Sequence, residues 1–163
     1  MTMDKPWWFG PYRPDVPLNR DQQLVVHCWF SFTKDADKVN AAVSDFPAYL
    51  RDQLDEALTR PGDEMSRQLL AAGLLTYGHI EMVDVILNNV PPGLSHEQAT
   101  GYCVAAPSNI LSRLLPLPET LKPDGVHSVL DWDRVREWFE VNRRDLQWDA
   151  AKERFYLDTG EPT

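Results

Sequence analysis

Two cysteines, Cys28 and Cys103, and four histidines, His27, His79, His96 and His127, are the side chains here with the widest catalytic repertoire. A thiol held beside an imidazole is the arrangement of a cysteine nucleophile and its base. His27 and Cys28 are neighbours, and on a strand neighbours point to opposite faces, so they do not make that pair. His96 and Cys103 would share a face if one helix covered both. The rise along that helix separates their backbones by roughly 10 Å, too far for a direct hydrogen bond. A site assembled across the fold from His96, Cys103 and the C-terminal carboxylates stays open as an alternative. The carboxylate pairs Asp131/Asp133 and Glu137/Glu140 suit, respectively, a helix start favoured by the helix dipole and a solvated face. The sequence has no Cys-x-x-Cys, His-x-x-x-His or calcium loop, no phosphate-binding or dinucleotide glycine pattern, and no Gly-x-Ser-x-Gly. No metal or cofactor is therefore expected.

Charge gives a stronger signal than chemistry. The formal net charge is -9, and the stretch from Pro61 to Leu121 holds six acids against Arg67 and Arg113 alone. Such a surface repels nucleic acid and anionic lipid and attracts basic proteins. Arg134, Arg136, Arg143 and Arg144 are the densest basic group, but Asp133, Glu137, Glu140 and Asp145 interleave with them as helical charge pairs would. The N-terminus lacks the apolar core of a signal peptide, and no apolar run is long enough to span a bilayer. A cytoplasmic protein with reduced thiols is expected, with no membrane or direct nucleic-acid partner.

The elements that must position these groups read as mainly helical, within one domain of 163 residues. Residues 1–20, with Trp7 and Trp8 among four prolines and further aromatics, suggest an extended strap. Residues 22–33 are dense in β-branched and aromatic residues and form the strand candidate, although a buried helix fits the same run. Residues 34–145 form the helical body. Asp35 caps a helix to Val43; Ser44 caps the next, with Phe46, Leu50, Leu54, Ala57 and Leu58 on one face. Arg60-Pro61-Gly62 breaks it, and Gly62 or Asp63 starts a third helix. Gly78 turns into a fourth, which Pro91-Pro92-Gly93 ends. Ser95 and Gln98 match a capping box for a helix carrying Ala99, Tyr102 and Cys103 and ending before Pro107. Ser108 caps another helix, and Asp131 caps the last, with Trp132, Val135, Trp138 and Phe139 facing inward. Residues 146–157 alternate around a four-residue turn as a small β-hairpin. Helical pairs of this kind pack as a solenoid-like stack or an irregular bundle.

On the expected helices, Asp52 lies within one turn of Asp55 and Glu56, opposite the apolar stripe. Asp63 and Glu64 open the next helix, and Glu81 and Asp84 sit one turn apart on the following one. If the helices stack in order, these acids line one surface, with Trp7 and Trp8 as candidate aromatic anchors. A solvated acidic face and an internally packed strap are the plainer readings of the same residues.

Trp138-Phe139-Glu140-Val141-Asn142-Arg143, then Leu146, Trp148 and Arg154-Phe155-Tyr156-Leu157, resembles the closing segment of bacterial HEAT-type helical-repeat proteins. The resemblance covers about residues 132–157 and implies a binding scaffold; genes for such proteins can lie near bacterial toxin and secretion systems. The expectation is a non-catalytic acidic module that binds a basic protein, most concretely an immunity protein or antitoxin blocking a cognate toxin's active or substrate-binding surface. An adaptor or secretion chaperone is the alternative within the binding class. Self-association is compatible with the sequence.

Overall fold

Asn19 sets the start of the first helix. Its side chain accepts from the Gln22 amide at 2.9 Å, and the Gln22 side chain accepts from the Asn19 amide at 3.0 Å, a reciprocal capping box. Helix α1 then runs Arg20–Trp29 in the computed structural model, which describes residues 16–31, 35–90, 103–122 and 129–159. Over its described residues, 22–31, the strand candidate at 22–33 is therefore corrected to helix and turn; 32 and 33 lie outside the described residues. Gln22, Val25, Val26 and Phe30 recur at helical spacing and are all buried. Burial of both valines outweighs their modest preference for strands. Trp7, Trp8 and most of the expected strap lie outside the described residues; 16–19 lead without regular structure into α1.

Helix α2, Ala36–Val43, is capped by Asp35, whose side chain accepts from the Lys38 amide at 3.1 Å. Helix α3, Phe46–Ala57, starts from Asp45 rather than Ser44. The Ser44 hydroxyl instead donates back to the Ala41 carbonyl at 2.7 Å, closing α2. Pro47 occupies the first turn of α3, where a missing amide costs nothing. Gly62, at φ +74°, reverses the chain, and Asp63 precedes α4, Glu64–Leu75.

Helix α4 is the centre of the molecule. From Gln68 to Leu75 every residue is buried, so it is apolar on all sides and needs neighbours on all sides. It packs against α1, α3, α5 (Met82–Asn88) and α6 (Ala106–Leu114). Of the two arrangements open to the sequence, these contacts are those of an irregular bundle. The closest approach is at Gly73, where a Cβ would lie 2.9 Å from Leu50 Cδ1 and 3.2 Å from Val25 Cγ1.

The second half shows one displaced boundary. Helix α6 begins at Ala106, with Pro107 in its first turn, so Pro107 opens this helix, and Ser108 sits inside it. Ser108 is fully buried and accepts from the Leu130 amide at 2.7 Å, a tertiary bond instead of a cap. The Ser95–Gln98 capping box and residues 99–102 of the expected helix lie outside the described residues, and Cys103 lies in the turn before α6. After a 3₁₀ turn at Glu119–Leu121, Asp131 caps α7, Trp132–Asn142, accepting from the Arg134 amide.

The chain closes with the expected hairpin: β1, Leu146–Asp149, antiparallel to β2, Arg154–Leu157, with Trp148 opposite Phe155. Those two rings meet edge-on, centroids 4.8 Å apart. Phe155 and Leu146 join the core that also contains Leu24, Leu50, Leu70, Ile86 and Phe139. Gly78, at φ +93°, passes so close to Trp148 that a Cβ would lie 2.9 Å from the indole, fixing the hairpin against the turn before α5.

Candidate functional site

The acids singled out in the sequence divide by what meets them. On α3, Phe46, Leu50, Leu54 and Ala57 face the core, which turns Asp52 and Asp55 to solvent on the opposite side. Glu56 is paired with Arg60 one turn later, and Arg60 also reaches Asp63 at 3.6 Å. Glu81 lies 3.8 Å from Arg51 and 3.7 Å from His79 Nδ1. Asp84 is more tightly engaged: one guanidinium nitrogen of Arg143 donates to both its oxygens, at 2.7 and 2.6 Å. The same guanidinium sits 4.7 Å from the Phe139 ring centroid, so Asp84 helps tie α5 to the end of α7.

Exposed pairs of this kind are worth only about 0–1 kcal/mol each, but they cancel local charge. Among the described residues, Asp52, Asp55 and Glu64 have no ion pair or hydrogen bond from their carboxylates. Glu64 stands in the first turn of α4, where negative charge favours the helix dipole. Asp52 and Asp55 have no such role. They are like charges at three-residue spacing, which costs a helix a few tenths of a kcal/mol. The two bases of the acid-rich stretch do not relieve them. Arg67 donates to the carbonyls of Ala57, at 2.9 Å, and Arg60, closing the C-terminus of α3, and Arg113 pairs with Asp21.

Leu58, expected on the apolar face of α3, is instead the C-cap residue just past that stripe and is 49% exposed. With Met65, 52% exposed, it flanks the turn between α3 and α4, next in sequence to the acidic face. Tyr49 lies one turn before Asp52; its hydroxyl accepts from Trp29 Nε1 at 2.8 Å, and its ring stands 5.7 Å from Phe30 and 6.4 Å from Phe46. Burial pushes the Tyr49 phenol above its ordinary range; the Trp29 bond opposes this and the Glu56 charge adds to it. Trp29 and Tyr49 are half-buried, so a partner on α3 would meet an aromatic edge beside its acids. Tyr49, Asp52 and Glu56 follow helical spacing, a signal present in the sequence; the Trp29 contact was hidden by the strand assignment.

No protein-family model, curated protein or solved structure matches this chain. Function must be argued from its own surface. His96 and His127 lie outside the described residues, so the His96–Cys103 arrangement has no geometry here. Among the described residues, no three His, Cys, Asp or Glu side chains converge as metal ligands, and no helix is long and apolar enough to cross a membrane. A shallow groove of about 440 Å³ opens on the hairpin, lined by Trp148, Asp149, Ala150, Lys152, Arg154 and Tyr156. The Asp149 carboxylate is committed to its turn, accepting from the Ala151 and Lys152 amides at 3.0 Å. Neither a thiol nor an imidazole lines this groove, which leaves the acidic α3 face as the better-supported candidate.

Proposed function

We propose that this chain is a non-catalytic protein-binding module that captures a basic partner on the outer face of α3. The carrying observation is Asp52 and Asp55: exposed, like-charged at one-turn spacing, and without a charge partner among the described residues. Folding gains nothing from that pair, whereas a basic surface approaching it would be steered and held. Leu58 and Met65 alongside supply apolar area that a charged face alone lacks. Glu56, Asp63, Glu64 and Glu81 form the rim, and Asp84 contributes through its tie to Arg143 rather than as a free charge.

In its most specific form the partner is a toxin whose active or substrate-binding surface is basic, and this chain is the bacterial immunity protein or antitoxin that covers it. The resemblance of residues 132–157 to HEAT-type scaffolds supports the binding class, and the acidity supports the choice of partner. The test is a paired capture from source lysate, with the native chain and an Asp52→Lys/Asp55→Lys variant as baits. The expected result is a stoichiometric basic protein held by the native bait, lost from the variant and released by salt of roughly 0.5 M. Adding the native chain back to that protein should abolish its activity. Retention by both baits would remove the α3 face from the interface, and a partner that stays active when bound would make the chain an adaptor.

A further inference from the structure

The salt bridge between Asp21 and Arg113 fixes how α1 and α6 lie against each other. Asp21 is in the first turn of α1 and Arg113 in the last turn of α6, with Arg113 Nε donating to the carboxylate at 2.6 Å. The two helices are in contact. A pairing of first turn with last turn sets them antiparallel, which carries the C-terminal end of α1 toward the chain entering α6. Cys28 occupies that end of α1, and Cys103 lies three residues before Ala106, where α6 begins. The two thiols are both free and both half-buried, and the Cys103 thiol is near enough to Cys28 to help raise its ionisation. They are the only cysteines of the chain, yet the fold brings them together across 75 positions of sequence.

We propose that Cys28 and Cys103 are a redox-modification site, closing an intramolecular disulfide that locks α1 onto the entrance of α6. The oxidant is an external disulfide of the glutathione type. The Cys103 thiolate attacks one sulfur of oxidised glutathione, the glutathione S–S bond breaks, and one glutathione thiolate leaves and takes up a proton. Cys28, losing its proton to solvent, then attacks the Cys103 sulfur of the mixed disulfide and expels the second glutathione. The protein gives up two electrons and two protons, and the oxidant becomes two reduced glutathione molecules. Burial, and after it the adjacent Cys103 thiol, pushes the Cys28 thiol above its ordinary range, which assigns Cys28 the second, resolving step. The mixed disulfide at Cys103 removes the neighbouring thiol's share of that effect when Cys28 must react.

A bond here closes a loop containing α2 to α5 and ties the helix that packs beside Tyr49 to the second half of the core. The test uses the full native chain, equilibrated in glutathione buffers of graded ratio, alkylated while folded, then analysed by intact mass and peptide mapping. The expected product is monomeric, about 2 Da lighter, with Cys28 and Cys103 cross-linked and neither alkylated. Its thermal midpoint should rise by roughly 4–16 °C. Cys28→Ser should accumulate a stable mixed disulfide on Cys103, whereas the reciprocal Cys103→Ser should form one on Cys28 much more slowly. A folded native chain carrying glutathione on either cysteine, without cross-link, would overturn the proposal, as would a purely intermolecular bond. A cross-linked chain whose midpoint is unchanged or lowered would refute the lock.

Discussion

Ser108 shows how a single hydroxyl can be more valuable in the core than at a helix end. Fully buried in α6, it accepts from the Leu130 amide at 2.7 Å, and the helix start carries no side-chain cap. Ser108→Ala keeps helix propensity but strands a buried N–H, at a cost of about 1–3 kcal/mol. The expected outcome is a lower thermal midpoint, by roughly 2–12 °C, with an unchanged circular dichroism spectrum. Cys28 gives a second residue-scale prediction. Its folded-state ionisation is pushed upward, chiefly by burial, so the folded chain resists forming the thiolate. The stability this protects is present below the ordinary thiol range of about 8.5 and is lost as pH rises through and beyond it, because only the unfolded chain ionises readily. Urea midpoints measured from neutral to alkaline pH should fall more steeply in the native chain than in Cys28→Ser. Parallel curves would remove Cys28 as a source of alkaline sensitivity.

At the scale of elements, α4 decides the packing and Gly73 decides how close its neighbours come. Replacing glycine by alanine inside a helix normally gains about 1 kcal/mol. Here the new methyl would press on Leu50 and Val25, both fully buried and unable to swing into solvent. Overpacking of that kind costs about 1–3 kcal/mol, so Gly73→Ala should be net destabilising, read as a lower urea midpoint at unchanged slope. The same packing explains what could be read from the sequence. Asp35 and Asp131 act through local bonds within four residues, and Gly62 through its own backbone, so α2, α7 and the turn before α4 are legible. The alternation around residues 150–153 is equally local, and the hairpin follows from it. α1 is different: its valines suit either strand or helix, and the choice rests on burial against α4 and on an asparagine-headed capping box. Ser108 was misleading because its partner, Leu130, is 22 positions away. The candidate face was legible as an acidic helix surface. Its partition was not, because Asp84 meets Arg143 across 59 positions, and Glu81 meets Arg51 from another helix.

For the whole molecule, the question is whether the acidic excess serves folding or recognition, and charge reversal separates the two. Most of the predicted acids already have basic neighbours, so the net charge of -9 does not describe a uniformly repulsive shell. Repulsion concentrates where Asp52 faces Asp55 and Glu56 on one helix. Asp52→Lys would place a cation within one turn of both, replacing unfavourable pairs with favourable ones worth about 0.2–0.5 kcal/mol each. If the acids were there for the fold, reversal would lower stability. The physical expectation is the opposite: an unchanged or slightly higher midpoint for Asp52→Lys, by up to a few degrees, most visible at low ionic strength where screening is weak. The same substitution should slow association with the captured basic partner and flatten its salt dependence, with a smaller effect on dissociation. A variant that folds at least as well yet binds more slowly would assign the charge to steering. A destabilised variant with unaltered association would return these acids to the fold and leave the aromatic edge at Trp29 and Tyr49, with Leu58 and Met65, as the surface to test next.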